Sequence, residues 1–252
     1  MYLLNAITNT FPTVISIVGA GGKTSALLRL GRELSEMKRT TILTTSTHLG
    51  TDQLRGHPVI CSESDRPLRS PQEVLTAAND LINRARVIFV VSRVIGQTVN
   101  GLERSTIDHL AGHYDVVAVE ADGARGRSLK APAPEEPVWP LSTQLALAVV
   151  GIDALGKPLD ESIAHRPQRI AELTGQRIGQ AINHQTIVTC LVHPKGIFQG
   201  VPEAAARAVL INKVTSETLG EARSIARLLH SIQPTSRVII GNVRPEHLEL
   251  WP

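Results

Sequence analysis

Short apolar runs alternate along the chain with segments whose apolar residues recur every three or four positions. The runs are typical of strands buried on both faces of a sheet, and the spaced pattern is typical of amphipathic helices. Strands are predicted at 14–18, 40–45, 57–61, 87–91, 114–120, 145–151, 208–212 and 237–241. Helices are predicted at 24–37, 71–85 and 217–232, and a helical pattern broken by glycine and proline covers 164–208.

The alternation of strands with helices predicts an α/β fold, in which helices cover both faces of a mostly parallel sheet. The chain has 252 residues and contains no repeat or low-complexity tract, so we expect a single domain over 1–252. Prolines cluster at 131–140, ahead of the broken helical pattern. The sequence leaves open whether 124–207 forms a partly helical lobe inserted into this domain.

Composition narrows the classes of partner. Hydrophobic residues make up 42% of the chain and charged residues 19%, which indicates a soluble globular protein. Aromatic residues are only 3% and no basic run is present, which argues against nucleic acid as a partner. No apolar run is long enough to span a bilayer. Cys61 and Cys190 stand far apart without neighbouring ligand residues, so we expect two reduced thiols in a cytoplasmic protein.

A glycine-rich loop follows the first predicted strand, with the order Gly19, Ala20, Gly21, Gly22, Lys23, Thr24 and Ser25. Strand, glycine loop, Lys-Thr and helix is the order of a P-loop, whose main-chain N–H groups surround a phosphate chain. Lys23 is expected to reach the β- and γ-phosphates, and Thr24 to bind Mg²⁺. A glycine turn that only packs strand against helix is the alternative, but it has no use for this lysine.

The loop is a variant of the P-loop motif. The usual spacing G-x-x-x-x-G-K-[ST] would need glycine in place of Ile17. The deviant form of the motif carries an extra lysine near its start, where this chain has Val18. Both standard forms are therefore incomplete.

A second candidate feature is the acidic end of the strand predicted at 114–120. Ligands bind at the carboxyl edge of parallel sheets, and Mg²⁺ prefers oxygen ligands. We therefore expect Glu120 to bind the metal opposite Thr24, and Asp122 to orient an attacking water. Capping carboxylates in a solvated loop are the alternative, which the upstream glycine loop makes less attractive. Together the two features predict a P-loop NTPase-like fold.

Smaller signals surround these features. Asn212 and Lys213 end a predicted strand, as the base-reading Asn-Lys-x-Asp loop of GTP-binding proteins does, but the fourth position is Thr215. The sequence therefore leaves ATP and GTP open. Hydroxyl groups at 44–48 are expected to approach the γ-phosphate or to be ordinary strand-end residues. A basic cluster after the acidic strand is expected to hold an acidic second substrate or to be solvated; its members are Arg125, Arg127 and Lys130.

Several segments taken together resemble the YqeC family, the accessory proteins of selenium-dependent molybdenum hydroxylases. The segments are VGAGGKTS, TTSTH, VEADGARGRSLKAP, HRPQRIAELTG, HPKGIFQGVP and LINKV, in this order over about 14–241. The resemblance implies a P-loop protein that helps to mature a molybdenum hydroxylase or its selenium-containing cofactor. The resemblance also implies that the loop from Gly19 to Thr24 binds the nucleotide and that Glu120 and Asp122 are the acidic pair of the site.

From these features we expect an Mg²⁺-dependent NTP-binding protein that hydrolyses ATP or GTP. One alternative is a small-molecule kinase or ATP-dependent ligase of the dethiobiotin-synthetase type. A second alternative is a non-enzymatic, nucleotide-gated chaperone or scaffold. The first of these is our interpretation of the sequence, and the other two stay open as alternatives.

Overall fold

A nine-stranded sheet runs through the molecule. The computed structural model describes residues 1–54, 58–61, 68, 70–82, 84–234, 236–244 and 247–251. Its strands are β1 Val14–Gly19, β2 Thr41–Thr45, β3 His48–Gly50, β4 Val59–Ile60, β5 Val87–Val90, β6 Arg93–Ile95, β7 Thr98–Asn100, β8 Val116–Glu120, β9 Leu129–Lys130, β10 Leu145–Gly151, β11 Ala164–His165, β12 Ala206–Asn212, β13 Arg237–Asn242 and β14 His247–Leu250. The order in the large sheet is β14-β13-β12-β10-β1-β8-β2-β5-β4, and every neighbouring pair is parallel except β13–β14.

Helices connect most of these strands. They are α1 Leu3–Ile7, α2 Lys23–Glu36, α3 Pro71–Ile82, α4 Arg104–Leu110, α5 Pro167–Thr174, α6 His184–Val192 and α7 Leu219–Ile232, with 3₁₀ turns at Thr51–Leu54 and Ile152–Ala154. The predicted parallel α/β architecture is confirmed. The strand predicted at 57–61 is observed as β4, which covers only Val59–Ile60, and His57 lies outside the described residues. None of the described helices combines the length and the apolar character that a membrane crossing requires.

The sheet is covered on both faces because successive residues of its strands point to opposite sides. In β1, Ile15 and Ile17 pack in an apolar cluster with residues of α1 and α2. Val18 packs on the other face with residues of α5, α6 and α7, and Val14 packs on that same face with residues of α3 and α4. Ser16 lies between these two clusters and its Oγ is 2.9 Å from Thr143 Oγ1, which explains the polar residue inside an apolar strand.

The segment 124–207 contributes to the central sheet. Its strand β10 pairs with β1 on one side and β12 on the other, and all seven residues of β10 are buried. Apolar residues of α5 and α6 pack in the same cluster as those of α7. The only separate sheet inside this range, among the described residues, is the two-stranded pair β9–β11. How the chain divides into domains stays a prediction.

Three short strands form an antiparallel sheet that the hydrophobic pattern did not indicate. Strand β7 pairs with β3 and with β6, and each strand has three residues. The edge strand β14 was not predicted either. Such short or half-exposed strands carry too few residues for a period-two pattern to stand out.

Candidate functional site

At its three glycines, the glycine-rich loop has a backbone conformation that residues with side chains rarely adopt. Gly19, Gly21 and Gly22 have φ values of 93°, 83° and 128°. A Cβ on Gly19 would lie 2.3 Å from Val149 O, and one on Gly22 would lie 2.2 Å from Asn212 Nδ2. The three glycines therefore allow the chain to turn tightly between the end of β1 and the start of α2.

Main-chain contacts fix the first half of the loop and leave the second half open. Ala20 N donates to Val149 O at 2.8 Å, and Gly21 N donates to Arg127 O at 2.8 Å. The N–H groups from Gly22 to Ser25 have no acceptor within the part of the chain that the structure describes. These are the free donors of the first turn of a 14-residue helix, where the helix dipole favours an anion.

Lys23 lies against two carboxylates. Its Nζ donates to Gly19 O at 2.9 Å and lies 3.3 Å from both Glu120 Oε1 and Asp122 Oδ1. Lys23 is 4% exposed, Glu120 5% and Asp122 0%. The loop and the acidic strand end, about a hundred residues apart in sequence, therefore meet as predicted, because β8 lies next to β1 in the sheet.

Burial and the facing charges set the pKa values of this group. Burial alone would lower the pKa of Lys23, but the charges of Asp122 and Glu120 outweigh it and raise the pKa above its usual value. Burial raises the pKa of Glu120, and the opposing charge of Lys23 offsets this only in part. Lys23 is therefore a cation at neutral pH. Its charge keeps the pKa of Glu120 lower than burial alone would make it.

Asp122 is held more tightly than a solvated loop residue. Its Oδ2 accepts from Gly19 N at 3.1 Å and lies 2.8 Å from Lys130 Nζ. Its Oδ1 has no hydrogen-bond donor among the described residues, although it is buried. Asp122 is absent from the lining of the adjacent cleft. Its predicted role in orienting a water stays a prediction, and its observed contacts indicate a second role, that of positioning the loop and Lys23.

Buried ion pairs lead away from Asp122. Lys130, fully buried, also lies 3.0 Å from Glu136 Oε2. Arg166 donates to both oxygens of Glu136, at 2.8 and 2.9 Å. Burial would raise the pKa of Glu136, but Arg166 and Lys130 lower it to about 2. The sequence-based hypothesis that Lys130 contacts an acidic substrate does not fit this arrangement, because its ammonium group is enclosed by protein acceptors.

Thr24 and Glu120 provide the oxygen atoms that a nucleotide-bound Mg²⁺ requires. Thr24 Oγ1 donates to Glu120 Oε2 at 2.8 Å and lies 3.3 Å from Gln53 Oε1. Within the described residues no group of three or more His, Cys, Asp or Glu side chains converges as a metal site. Mg²⁺ at phosphates takes one or two protein oxygens and completes its shell with phosphate and water, so this donor set fits the ion.

Asn212, the last residue of β12, joins the glycine loop to the residue that follows β13. Its Nδ2 donates to Gly21 O at 2.8 Å, and its Oδ1 accepts from Val243 N at 3.0 Å. Lys213, at a φ of 63°, follows the end of β12 and has its Nζ 2.7 Å from Ser128 Oγ and 2.8 Å from Asp153 Oδ2. Both residues thus lie beside the loop as predicted, and their contact with a base stays a prediction.

A cleft of about 1250 Å³ joins these features. Its lining includes residues 21–25, Glu120, Lys213, Ser46 and Thr47. The hydroxyls of Thr44 and Thr45 do not face the cleft: each donates to a main-chain carbonyl, at 2.7 and 2.9 Å respectively. Of the predicted hydroxyl groups at 44–48, those of Ser46 and Thr47 belong to residues that line the cleft, and Ser46 Oγ is itself bound to Val138 O at 2.9 Å, which leaves Thr47 as the better placed of the two to approach a ligand.

Sequence reasoning missed several residues of the cleft. Glu136 lies within the proline-rich stretch at 131–140, and Arg166 entered only as part of the segment HRPQRIAELTG. Both are far in sequence from the loop, and a chain of ion pairs joins them to it. Arg166 also has a φ of 62°, which no sequence pattern indicates for an arginine.

Two comparisons with known proteins agree on the family. The family model described as "YqeC protein" matches residues 15–168. The "Uncharacterized protein YqeC" of Escherichia coli (strain K12) is 34% identical over 204 residues, which is 80% of this chain and 76% of that protein. A structure of chloroplast FtsY from Physcomitrella patens matches 98% of this chain, with a TM-score of 0.46 and 11% identity, and the chain spans 64% of that solved chain. On the family model and the Escherichia coli relative, the chain belongs to the YqeC family.

Proposed function

We propose that the protein binds a nucleoside triphosphate with Mg²⁺ in the cleft and hydrolyses it. The observation that carries the proposal is the meeting of the free N–H groups of residues 22–25 with Lys23 and Glu120 at one edge of a parallel sheet. Donors, a cation and a metal-binding oxygen set are the three things that a triphosphate requires.

Each residue then has a distinct role. The N–H groups from Gly22 to Ser25 hold phosphate oxygens, and Lys23 leaves its carboxylate partners to neutralise the β- and γ-phosphates. Thr24 and Glu120 hold the metal, which when bound neutralises charge on the transferring phosphoryl group. Asp122 keeps the loop and the lysine in place and is also our candidate for orienting the attacking water. No covalent intermediate is required, because positioning and charge neutralisation supply the catalysis.

Nucleotide titration calorimetry tests the binding step. We expect Mg·ATP or Mg·GTP to bind the wild type, and Lys23→Met to weaken binding by about a hundredfold, since charge-assisted hydrogen bonds contribute about 1.5–3 kcal/mol each. Lys157→Met is the matched control, because Lys157 is exposed and does not line the cleft. Equal nucleotide affinity in wild type and Lys23→Met would remove the loop from the binding site.

We further propose an accessory role in the maturation of a selenium-dependent molybdenum hydroxylase or its cofactor. Its support is the family membership and the resemblance of the sequence segments. In a deletion strain we expect hydroxylase activity to fall, and a plasmid carrying the wild-type gene to restore it where Lys23→Met does not. Full hydroxylase activity in the deletion strain would refute this role while leaving nucleotide binding intact.

A small-molecule kinase or ligase is the second candidate function. It is favoured by Arg125, which lines the cleft and whose guanidinium group has no acceptor among the described residues. Turnover by a kinase is low until an acceptor is added. A small molecule that stimulates nucleotide consumption and becomes phosphorylated would favour this candidate, and stimulation by a hydroxylase protein would favour the first. A nucleotide-gated scaffold would show neither.

A further inference from the structure

The cleft beside the glycine loop is lined by two arginines that have an unusual backbone conformation. Arg125 and Arg166 have φ values of 48° and 62°, and both line the cleft. A positive φ is uncommon for a residue other than glycine, asparagine or aspartate, and it persists only where the surrounding structure enforces it. Lys38 and Lys213 are the other such residues among those described, and Lys213 also lines the cleft.

The two arginines differ in what holds them. Arg166 is fixed by its paired hydrogen bonds to Glu136 and is 28% exposed at its side chain, so its remaining N–H groups are available to a ligand. Arg125 is exposed, and no acceptor binds its guanidinium group in the described part of the chain. One arginine is therefore oriented in advance, and the other is free to close on a ligand.

His165 also lines the cleft, and the charged groups that act on it are mainly cations. Burial lowers its pKa, and Arg166, Lys130 and Arg125 lower it further against the opposing effect of Glu136, to about 4. The nearby carboxylate thus fails to neutralise the local cations. A site with this balance attracts an anion.

The site lies beside the glycine loop without being part of it. Arg127 O accepts the hydrogen bond of Gly21 N at 2.8 Å, so the segment that carries Arg125 packs directly against the loop. The lysine of the loop is joined to Arg166 through Asp122, Lys130 and Glu136. A ligand at the two arginines would therefore lie next to a bound triphosphate.

We propose that Arg125 and Arg166 form a second anion site in the cleft, which holds the phosphate or carboxylate group of a small second substrate while nucleotide occupies the glycine loop. The proposal rests on the proposed nucleotide binding. It adds the chemical class of the second substrate, a small molecule that carries a phosphate or carboxylate group. Planar guanidinium groups suit both kinds of anion, because each presents two parallel N–H donors.

The test uses protein saturated with Mg²⁺ and a non-hydrolysable NTP analogue, so that the γ-phosphate position is filled. Inorganic phosphate in one arm and malonate in the other are titrated at constant ionic strength, and binding is followed by NMR of the His165 ring, assigned with His165→Gln. The variant is Arg125→Asn, because asparagine tolerates a positive φ. Arg177→Asn is the control, an exposed arginine outside the cleft.

We expect the anion to raise the pKa of His165 towards its usual value, since it neutralises the surrounding cations. We expect Arg125→Asn to weaken anion binding by roughly tenfold or more and to leave analogue affinity unchanged. The stronger arm identifies phosphate or carboxylate as the preferred group. Unchanged anion affinity in Arg125→Asn, or a His165 ring that does not respond, would overturn the site.

Two further outcomes keep the proposals distinguishable. Equal losses of analogue and anion affinity in Arg125→Asn would place Arg125 on the nucleotide and overturn the second site. Failure of the analogue to bind the wild type would refute the proposed function. Titration of the nucleotide-free protein, judged by the same effects on Arg125→Asn and the His165 ring, would then decide the anion site alone.

Discussion

Replacing Lys23 by methionine should destabilise the protein as well as weaken nucleotide binding. The ammonium group of Lys23 lies 3.3 Å from Glu120 and from Asp122, and all three side chains are nearly or fully buried. Methionine keeps most of the side-chain volume, so the change removes charge rather than packing. What remains is a buried carboxylate at Glu120 without a facing cation.

The size of the stability loss depends on which carboxylate loses its partner. Removing one member of a buried ion pair costs about 3–5 kcal/mol. Asp122 keeps Lys130 at 2.8 Å, so only Glu120 is left uncompensated and we expect the lower end, about 3 kcal/mol. For a chain of this length that corresponds to a fall in Tm of roughly 6–12 °C. Adding Glu120→Gln to the variant should recover about 2 kcal/mol without restoring nucleotide binding.

The stability loss should shrink in acid. Lys23 lowers the pKa of Glu120 against the effect of burial, so the variant raises that pKa further. Folded Glu120 then binds a proton that the unfolded chain, with its pKa near 4.5, does not hold. Stability of the variant therefore increases as the pH falls from the folded pKa towards the unfolded one.

Urea unfolding followed by circular dichroism measures these effects near neutral pH and about one unit above the unfolded pKa of Glu120. Lys157→Met again serves as the control. A Lys23→Met protein as stable as the wild type at neutral pH would show that the ammonium group does not face Glu120 in solution. A stability loss that is the same at both pH values would show that Glu120 is not the uncompensated group.

Three further changes test the loop and its surroundings. Glu120→Gln should weaken Mg²⁺-nucleotide by about tenfold and metal-free nucleotide much less, measured by calorimetry with Mg²⁺ or with EDTA; equal losses would remove Glu120 from the metal site. Gly21→Ala should destabilise by more than about 2 kcal/mol in urea, whereas Gly126→Ala, with a φ of 72° and open space around it, should cost only about 1 kcal/mol; similar costs would contradict the observed close packing. Asn212→Ala leaves two buried main-chain groups unpaired and should cost roughly 2–4 kcal/mol, against a negligible effect of exposed Asn5→Ala.

Local sequence patterns predicted the strands that are apolar along their whole length. The strand predicted at 145–151 has the observed bounds, because all seven residues are apolar or small and both faces are covered. The end of β8 at Glu120 was predicted for the same reason, since the apolar run stops at the first carboxylate. The pairing of β1 with β8 and β10 was not predictable, because the sequence does not state which strands are neighbours.

The candidate site was predictable where its residues adjoin a strand end. Glu120 and Asn212 are the last residues of β8 and β12, Lys23 comes soon after the end of β1, and parallel strands bring such ends to one edge. Lys130 was expected, as part of a basic cluster, to hold an acidic second substrate or to be solvated. It is instead fully buried, and its burial is compensated by hydrogen bonds to Gly123 O at 2.7 Å and Glu136 Oε2 at 3.0 Å and by an ion pair with Asp122. Such a pairing depends on tertiary contacts between segments that no local pattern relates.

The contacts of Lys23 relate the nucleotide-free state to the nucleotide-bound state that the proposed function requires. Three cations alternate with three carboxylates along the chain of ion pairs; these are Lys23, Lys130 and Arg166 with Glu120, Asp122 and Glu136. The charges balance without nucleotide, so the lysine is held at the loop before a ligand arrives. In the proposed function, a triphosphate that draws Lys23 away would leave Glu120 free to bind the metal, while Asp122 keeps Lys130 as its partner. Movement of the Lys23 side chain would then prepare the proposed phosphate and metal sites together, which would explain why Glu120 faces Lys23 and Thr24 at once.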